Sequence, residues 1–257
     1  MKTLLLLLPV LLFAPPLQAE TDLRSGWSDA HQLVLVTIPR WDSHDGVLRA
    51  FERTGAGWQP ARAATPVSIG RAGAAWGIGL HEPQPGPRKR EGDGRSPAGV
   101  FALGTAFGYA DSTRTGLPYA AMDAAHWCID ASDSPLYNRI VDAREVGAEA
   151  VAGSTEPMRL DLHAAGDQRY ELGFVIEHNP RGEAGAGSCI FAHLWGKPGQ
   201  PTAGCTAMTQ PAMQELLEWL DARRHPVFVL LPETEYDRLQ HPWSLPRLAQ
   251  RSPAARP

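Results

Sequence analysis

The chain has few charged residues, a small net charge and no sequence repeat. It therefore lacks the features that mark several common classes of protein. Charged residues make up 20% of it, and the formal net charge is only −4 at pH 7. Nucleic-acid binding depends on a basic surface, so we expect no nucleic-acid partner. No repeat or linker divides the sequence, and 257 residues are enough for one sizeable core.

Long apolar runs are also scarce. The clearest one, residues 4–13, follows Lys2 and ends before Pro15 and Pro16. It is too short to cross a bilayer as a helix, so we predict an export signal at residues 1–19, cleaved after Ala19, and no stable membrane insertion. The alternative is a retained anchor. No cysteine stands near the cleavage point for lipid attachment, and we therefore expect a secreted, periplasmic protein.

Cysteine is rare as well, with three in the chain. In an oxidising compartment an odd number leaves one thiol unpaired. Cys128 and Cys189 lie in apolar, strand-like segments, whereas Cys205 follows Gly204 and has a histidine nearby. We predict a Cys128–Cys189 disulfide and a free Cys205. The alternative is that Cys128 and Cys189 are simply buried thiols.

Glycine and proline are abundant, at 25 and 23 residues, and this indicates many turns. Short apolar or alternating segments between the turns predict strands and a mainly β sandwich or barrel-like domain at residues 30–235. The predicted strands are 33–38, 47–53, 67–70, 76–80, 99–103, 173–178, 188–195 and 227–231.

Three other segments complete the prediction. Residues 104–166 are irregular, and we expect long connections over one face of the core. Thr209 can cap a helix that has Pro211 in its first turn and ends near His225. Residues 241–257 have little to bury, so we expect a loosely ordered tail.

One histidine and one cysteine form the best candidate site. A Gly/Pro-rich loop separates His193, near a predicted strand end, from Cys205. A thiolate beside an imidazole is a nucleophile for acyl transfer. The small Gly204 next to it would let backbone N–H groups face a developing oxyanion.

The residues around this pair resemble the catalytic stretch of the L,D-transpeptidase (YkuD-type) family. That stretch has a histidine, a variable loop and then Ser/Thr-x-Gly-Cys, and here Phe-Ala-His193 is followed by Thr202-Ala-Gly-Cys205. The upstream segment Glu-Gly-Asp-Gly-Arg-Ser-Pro-Ala-Gly-Val-Phe, residues 91–101, resembles the loop that opens the same domain. The resemblance spans roughly residues 33–231.

The resemblance implies a β-sandwich with long loops, a helix after the cysteine, no cofactor, and peptidoglycan stem peptides as substrate. Cys205 would be the nucleophile and His193 the general base. The backbone N–H groups around Gly204 and Cys205 would line the oxyanion hole, and Thr202 would contact the substrate or orient the loop. A thioester would pass to an amine, which makes a cross-link or attaches an envelope protein, or to water in a peptidoglycan hydrolase such as an L,D-carboxypeptidase or an amidase.

The sequence departs from that family at two positions. Many members have histidine before the Gly-Cys pair and arginine two residues after the cysteine, where this chain has Ala203 and Ala207. That arginine usually holds the substrate carboxylate, and Arg95 or Lys197 is the candidate to replace it. The alternative is that Arg95 and Lys197 are only solvated surface charges.

Three other functions compete with acyl transfer. His163, His178, His193 and Cys205 would suit a metal, but their spacing matches no familiar zinc motif, so we expect none. Glu91 and Asp93 would suit glycoside cleavage, although the glycines around them favour a tight turn. The third alternative is a non-catalytic peptidoglycan-binding module, which would have no need of a reactive thiol.

Overall fold

The structure is a computed structural model that describes residues 26–248, so the predicted signal at 1–19 lies outside the described residues. The strands are β1 (Gln32–Ile38), β2 (Asp45–Thr54), β3 (Gly57–Pro60), β4 (Thr65–Ser68), β5 (Ala74–Trp76), β6 (Ser96–Gly108), β7 (Tyr119–Ala121), β8 (His126–Cys128), β9 (Ile140–Asp142), β10 (Glu156–Pro157), β11 (Leu172–Ile176), β12 (Phe191–Leu194), β13 (Thr206–Met208) and β14 (Val227–Pro232). The helices are α1 (Ala143–Val146), α2 (Ala148–Val151), α3 (Leu160–His163), α4 (Gln210–Trp219) and α5 (Glu233–Leu239), with a 3₁₀ turn at Ala222–Arg224.

The main sheet closes on itself into a barrel of eight strands. Its order is β1-β14-β6-β11-β12-β13-β4-β2, and β2 pairs again with β1. Two pairs in the ring are parallel, β1 with β14 and β12 with β13. Closure leaves the ring without a free edge. The prediction of a mainly β fold is confirmed.

The barrel core follows from the composition of its strands. Every residue of β1 and of β14 is buried, because both strands are mainly apolar and have neighbours on either side. In β2 the exposure alternates over Gly46–Ala50, as expected for a strand with one face on the core. Fully buried aromatic side chains such as Phe101, Phe174 and Phe228 fill the interior.

Two predicted strands are much shorter than expected. Of residues 76–80 only Trp76 belongs to a strand, at the end of β5. Residues 188–195 were expected to be extended throughout, but only Phe191–Leu194 form β12. Cys189 has a φ of 53°, which lies in the left-handed region and interrupts an extended chain. The bend turns the Cys189 side chain toward a second, smaller core.

That smaller core lies under the segment that was expected to be irregular. Strands β10, β8 and β9 pair into a three-stranded sheet inside residues 104–166, so the segment has more structure than predicted. A cluster of buried side chains packs there, and it includes both disulfide cysteines and Cys205. The small sheet therefore forms a wall over the candidate nucleophile.

The helix after the cysteine begins as predicted. Thr209 caps α4 by accepting a hydrogen bond from the N–H of Ala212, and Pro211 lies in the first turn. The helix ends at Trp219, before the predicted end near His225. Among residues 26–248 no helix is both long and apolar enough to cross a membrane.

The predicted tail begins at His241, and its first residues are packed rather than loose. Trp243 and Leu245 are buried against the barrel, at 1% and 3% exposure. The free energy gained by burying these two large apolar side chains is enough to hold the segment against the barrel, although the residues around them are polar. Residues 249–257 lie outside the described part.

Two buried histidines outside the candidate site should couple folding to pH. Burial lowers the pKa of His81 and of His178 from 6.5 to about 4. The Nδ1 atom of His178 accepts from the N–H of Ile78 at 3.1 Å, and its Nε2–H donates to the Ala186 carbonyl at 2.9 Å. Both rings are thus neutral in the folded protein, while the unfolded chain binds protons below about pH 6.5.

We therefore predict that His178→Gln makes the free energy of unfolding fall less steeply than in the wild type as pH drops from 6.5 to about 4. The reason is that each such histidine contributes stability above its unfolded pKa that is lost toward its folded pKa. Urea unfolding at several pH values measures the slope. The exposed His31→Gln is the control, and equal slopes in all three proteins would contradict the prediction.

Candidate active site

The parallel pairing of β12 and β13 brings the two candidate residues to one face of the barrel. His193 is paired with Ala207, and Cys205 stands two residues before Ala207. Cys205 thus lies in the bend directly before β13, next to the strand that carries His193. Cys205 and His193 both line a cavity of about 340 Å³.

The thiol of Cys205 is buried and neutral in this state. Its Sγ accepts from the N–H of Phe191 at 3.3 Å, and its S–H points to the Cys189 carbonyl at 3.5 Å. Burial, with the nearby Glu156 carboxylate, raises the pKa of the thiol to about 12. The N–H of Phe191 works against this by stabilising the thiolate.

The imidazole of His193 is oriented by its own backbone. Its Nδ1 lies 2.7 Å from the Leu194 carbonyl, which can only accept, so the proton is assigned to Nδ1 and the lone pair to Nε2. Burial lowers the pKa of the ring to about 4. Within residues 26–248 no hydrogen bond joins His193 to Cys205. The site thus rests as a neutral thiol and a neutral imidazole, with Nε2 available as a base.

The loop that carries Cys205 is held by two hydroxyl groups. Thr202 Oγ1 donates to the Cys205 carbonyl at 2.6 Å and accepts from the N–H of Gly204 at 3.1 Å. Ser96 Oγ lies 2.6 Å from the Gly204 carbonyl and 3.1 Å from that of Cys205, and it accepts from the N–H of Gly70. Thr202 therefore orients the loop, one of the two roles that the sequence suggested.

These contacts change the expected oxyanion hole. The N–H of Gly204 is already used by Thr202. The N–H of Cys205 has no acceptor among the described residues. Cys205 itself therefore supplies the available donor, and Gly204 contributes its small size, since a Cβ there would lie 3.1 Å from the Arg95 carbonyl.

The two cations expected to hold a carboxylate lie elsewhere. Arg95 donates to the Ala74 carbonyl at 2.9 Å and contacts that of Trp41, and Lys197 is exposed in the loop after β12. Neither lines the cavity. Arg95 was expected near the substrate because it lies in a motif segment of the sequence. In the structure its guanidinium instead donates to backbone carbonyls.

The charged side chains that do line the cavity are of both signs, and sequence reasoning gave none of them this role. They are Arg71, Lys89, Glu91, Asp130, Glu156 and Arg169. The buried Lys89 forms an ion pair with Asp93, with Nζ 2.7 Å from Oδ1. Arg169 forms one with Asp167, with Nη2 2.6 Å from Oδ2. Arg71 has no ion pair among residues 26–248 and is exposed at the rim. No local motif marks it, because its position depends on the loop at Thr202, whose carbonyl accepts from the N–H of Arg71.

Glu91 and Asp93 serve the loop before β6 rather than acting as an acid pair. Asp93 accepts from the N–H groups of Arg90 and Arg95, which closes the predicted tight turn. Glu91 accepts from Ser188 Oγ at 2.6 Å and from the Tyr137 hydroxyl. The carboxylate of Glu91 thereby ties the loop to the segment that precedes β12.

The predicted disulfide is confirmed, and Cys205 is free. Cys128 ends β8 in the small sheet, and Cys189 precedes β12 in the barrel. The bond therefore fastens the small sheet beside the candidate nucleophile. Cys189 lines the 340 Å³ cavity, and Cys128 lines a second cavity of about 520 Å³.

The histidines considered for a metal do not converge. His178 is held by two backbone groups, and the exposed His163 lies 3.1 Å from the Ala124 carbonyl. Among residues 26–248, no group of three or more His, Cys, Asp or Glu side chains could hold a metal ion.

Comparison of the chain with family models, curated proteins and solved structures found no match.

The Ser96 contacts lead to a direct test of the loop. We predict that Ser96→Ala lowers the free energy of unfolding by about 1–3 kcal/mol, because the Gly204 carbonyl loses the hydroxyl that donates to it and the Gly70 N–H loses its acceptor. Urea unfolding measures the change. The exposed Ser112→Ala should cost under about 0.5 kcal/mol, and an equally small effect at Ser96 would show that the hydroxyl does not hold the loop.

Proposed function

We propose that the protein is a cysteine acyltransferase that acts on peptidoglycan stem peptides as an L,D-transpeptidase. The observation that carries the proposal is the thiol of Cys205 in one cavity with a neutral His193 whose Nδ1 is held by a carbonyl. That arrangement leaves a base of fixed tautomer in the same cavity as the proposed nucleophile. The peptidoglycan substrate is supported by the resemblance around His193 and Cys205, and by the order of the two motif segments.

The fold and the location belong to the same proposal. We propose that the β domain at residues 30–235 has the L,D-transpeptidase-like architecture, with α4 as the helix after the nucleophile. Export to the periplasm is supported by the signal-like residues 1–19 and by a disulfide, which persists in oxidising compartments. An envelope protein is a further acceptor for the acyl group.

The first half of the reaction forms a thioester. As the Sγ of Cys205 attacks the peptide carbonyl carbon, its proton moves to Nε2 of His193. The carbonyl oxygen becomes an oxyanion that the N–H of Cys205 stabilises. The C–N bond then breaks, and the leaving amine takes the proton from Nε2, which returns His193 to its neutral form.

The second half releases the acyl group. An acceptor amine attacks the thioester carbon and gives its proton to Nε2 as the C–S bond breaks. The sulfur then recovers that proton, so the thiol and the imidazole end as they began. Water in place of the amine gives hydrolysis by the same steps, and the product mass distinguishes the two reactions.

We predict that Cys205→Ala abolishes product formation and that His193→Gln lowers kcat by about 10³-fold or more. Purified muropeptides incubated with the protein are analysed by mass spectrometry. A new cross-linked dimer shows transfer, and a stem that has lost a residue shows hydrolysis. His31→Gln is the matched control for His193. Full turnover by the Cys205→Ala protein would refute the proposal.

The cavity charges suggest how the substrate carboxylate is held. Arg71 stands at the rim without an ion pair among the described residues, and a Cβ on Gly94 would lie 3.1 Å from its Cζ. The guanidinium thus lies against the glycine, with its N–H groups left for a ligand. A planar guanidinium suits a carboxylate because it donates two parallel hydrogen bonds. We propose that Arg71 takes the role of the arginine that Ala207 replaces.

We predict that Arg71→Gln raises KM for the stem peptide about tenfold, which corresponds to about 1.4 kcal/mol, because the charged hydrogen bonds to the substrate carboxylate are lost. Steady-state kinetics with muropeptides measure the effect. Lys197→Gln, outside the cavity, should leave KM unchanged. The reverse pattern, with KM sensitive to Lys197 and insensitive to Arg71, would show that the carboxylate lies over the loop after β12.

A further inference from the structure

The second cavity lies between the barrel and the small sheet. Residues of β6 and β11 line it on the barrel side, and residues of β8, β9 and α1 line it on the other. Neither Cys205 nor His193 lines it. Its volume of about 520 Å³ is that of a small-molecule site. Much of its wall is apolar and is formed by Ala120, Met122, Ile140, Val146 and Val175.

One carboxyl group in this wall has no partner. Glu177 follows β11, lines the cavity and is partly buried, and no described residue hydrogen-bonds to its carboxylate. A Cβ on Gly104 would collide with Oε1 of Glu177, so the glycine leaves the space that the carboxylate occupies. Burial raises the pKa of Glu177. A carboxylate that has lost water and gained no donor is destabilised, and a ligand that donates to it would relieve that cost.

Two of the other charged or ionisable groups in the wall are already paired. Asp142 accepts from the guanidinium of Arg144, with Nε 2.9 Å from Oδ1. Nδ1 of His126 lies 2.8 Å from Oδ1 of Asp123. His178 also lines the cavity, and both of its ring nitrogens are bonded to backbone groups.

The charges that remain uncompensated in the wall are therefore negative. They belong to Glu177, inside the cavity, and to Glu145, an exposed residue of α1 that has no ion pair among residues 26–248. Within the same part of the chain, no lysine or arginine lines the cavity. An anion would be repelled here, and a neutral apolar molecule would leave Glu177 without a donor.

We propose that the second cavity is a binding site for an amphipathic organic cation. The ligand is a protonated amine whose ammonium group donates to the carboxylate of Glu177 and whose apolar body packs against the side chains of β9 and α1. The site goes beyond the proposed function and does not depend on it.

The neighbouring cavity makes the location of such a ligand a point to be tested. Ile190 lines both cavities. The cavity that holds Cys205 also has carboxylates in its wall, those of Glu91, Asp130 and Glu156. These would attract an amine as well, so the experiment needs a variant that changes the second cavity alone.

The experiment is titration calorimetry of the full chain with hexylamine at pH 7.5, where an alkylamine is protonated like a lysine side chain. Hexanol and hexanoate are the matched neutral and anionic probes. We expect hexylamine to bind about tenfold or more tightly than hexanol, and hexanoate to bind more weakly than either. Comparable affinities for hexylamine and hexanoate would overturn the proposal, as would a lack of hexylamine binding.

The variant Glu177→Gln removes the charge and keeps the shape of the side chain. It should weaken hexylamine binding about tenfold and change hexanol binding less than about twofold. Glu149→Gln, at an exposed position outside the cavity, is the control and should change neither. Hexylamine binding that is as tight in Glu177→Gln as in the wild type would show that Glu177 does not hold the ammonium group.

The variant Val146→Trp tests the location and stands independently if Glu177→Gln does not fold. Val146 is partly buried and lines the second cavity but not the cavity of Cys205. The larger ring should fill the site and weaken both hexylamine and hexanol about tenfold or more. Full hexylamine affinity in this variant would place the amine elsewhere and overturn the proposal. No muropeptide is used, so these results are separate from the fate of the proposed function.

Discussion

The parallel pairing of β12 with β13 is the constraint on which the rest of the site depends. Neighbouring parallel strands cannot be joined by a tight turn, so the chain must leave the barrel after β12 and return before β13. Cys205 arrives at the end of that excursion, beside the strand that carries His193. The pairing of β12 with β13 is enough to fix the position of His193. The position of Cys205 also depends on Thr202 and Ser96, whose hydroxyl groups hold the returning loop.

Desolvation determines the electrostatic state of this site. The cavity wall formed by the small sheet keeps water from both the thiol and the imidazole, so each rests in its uncharged form. A thiolate–imidazolium pair of the kind found in some cysteine enzymes is thus not the resting state here. Charge appears when the proton moves, and Arg169 and the N–H of Phe191 are then placed to favour the thiolate.

Local pattern accounts for the parts of the structure that could be predicted from the sequence. The cap at Thr209, the buried runs of β1 and β14, and the Cys128–Cys189 bond all follow from neighbouring residues or from cysteine parity. The hydrogen bond from the Tyr170 hydroxyl to the Glu156 carboxylate could not be predicted in this way. The two residues meet only because Glu156 lies in the small sheet and Tyr170 just before β11, and no periodicity links them.

The positions of the cations around the cavity could not be predicted from the sequence for the same reason. Arg95 is close to a motif in the chain, but backbone carbonyls bind its guanidinium. Arg71 is marked by no motif, and it reaches the cavity through a backbone contact with Thr202, far along the chain. Long-range pairing, rather than residue type, decides which cation is available.

The closure of the barrel has a consequence for how the chain reaches this structure. The ring is completed by β1 against β14, which are separated by nearly the whole described sequence. Contacts of such long sequence separation slow folding, because the intervening chain loses its freedom before the contact forms. Until β14 has been synthesised, β1 lacks one of its two neighbours and shows an unpaired apolar edge. During synthesis the barrel therefore cannot close, and the growing chain stays exposed to aggregation until its last strand is available.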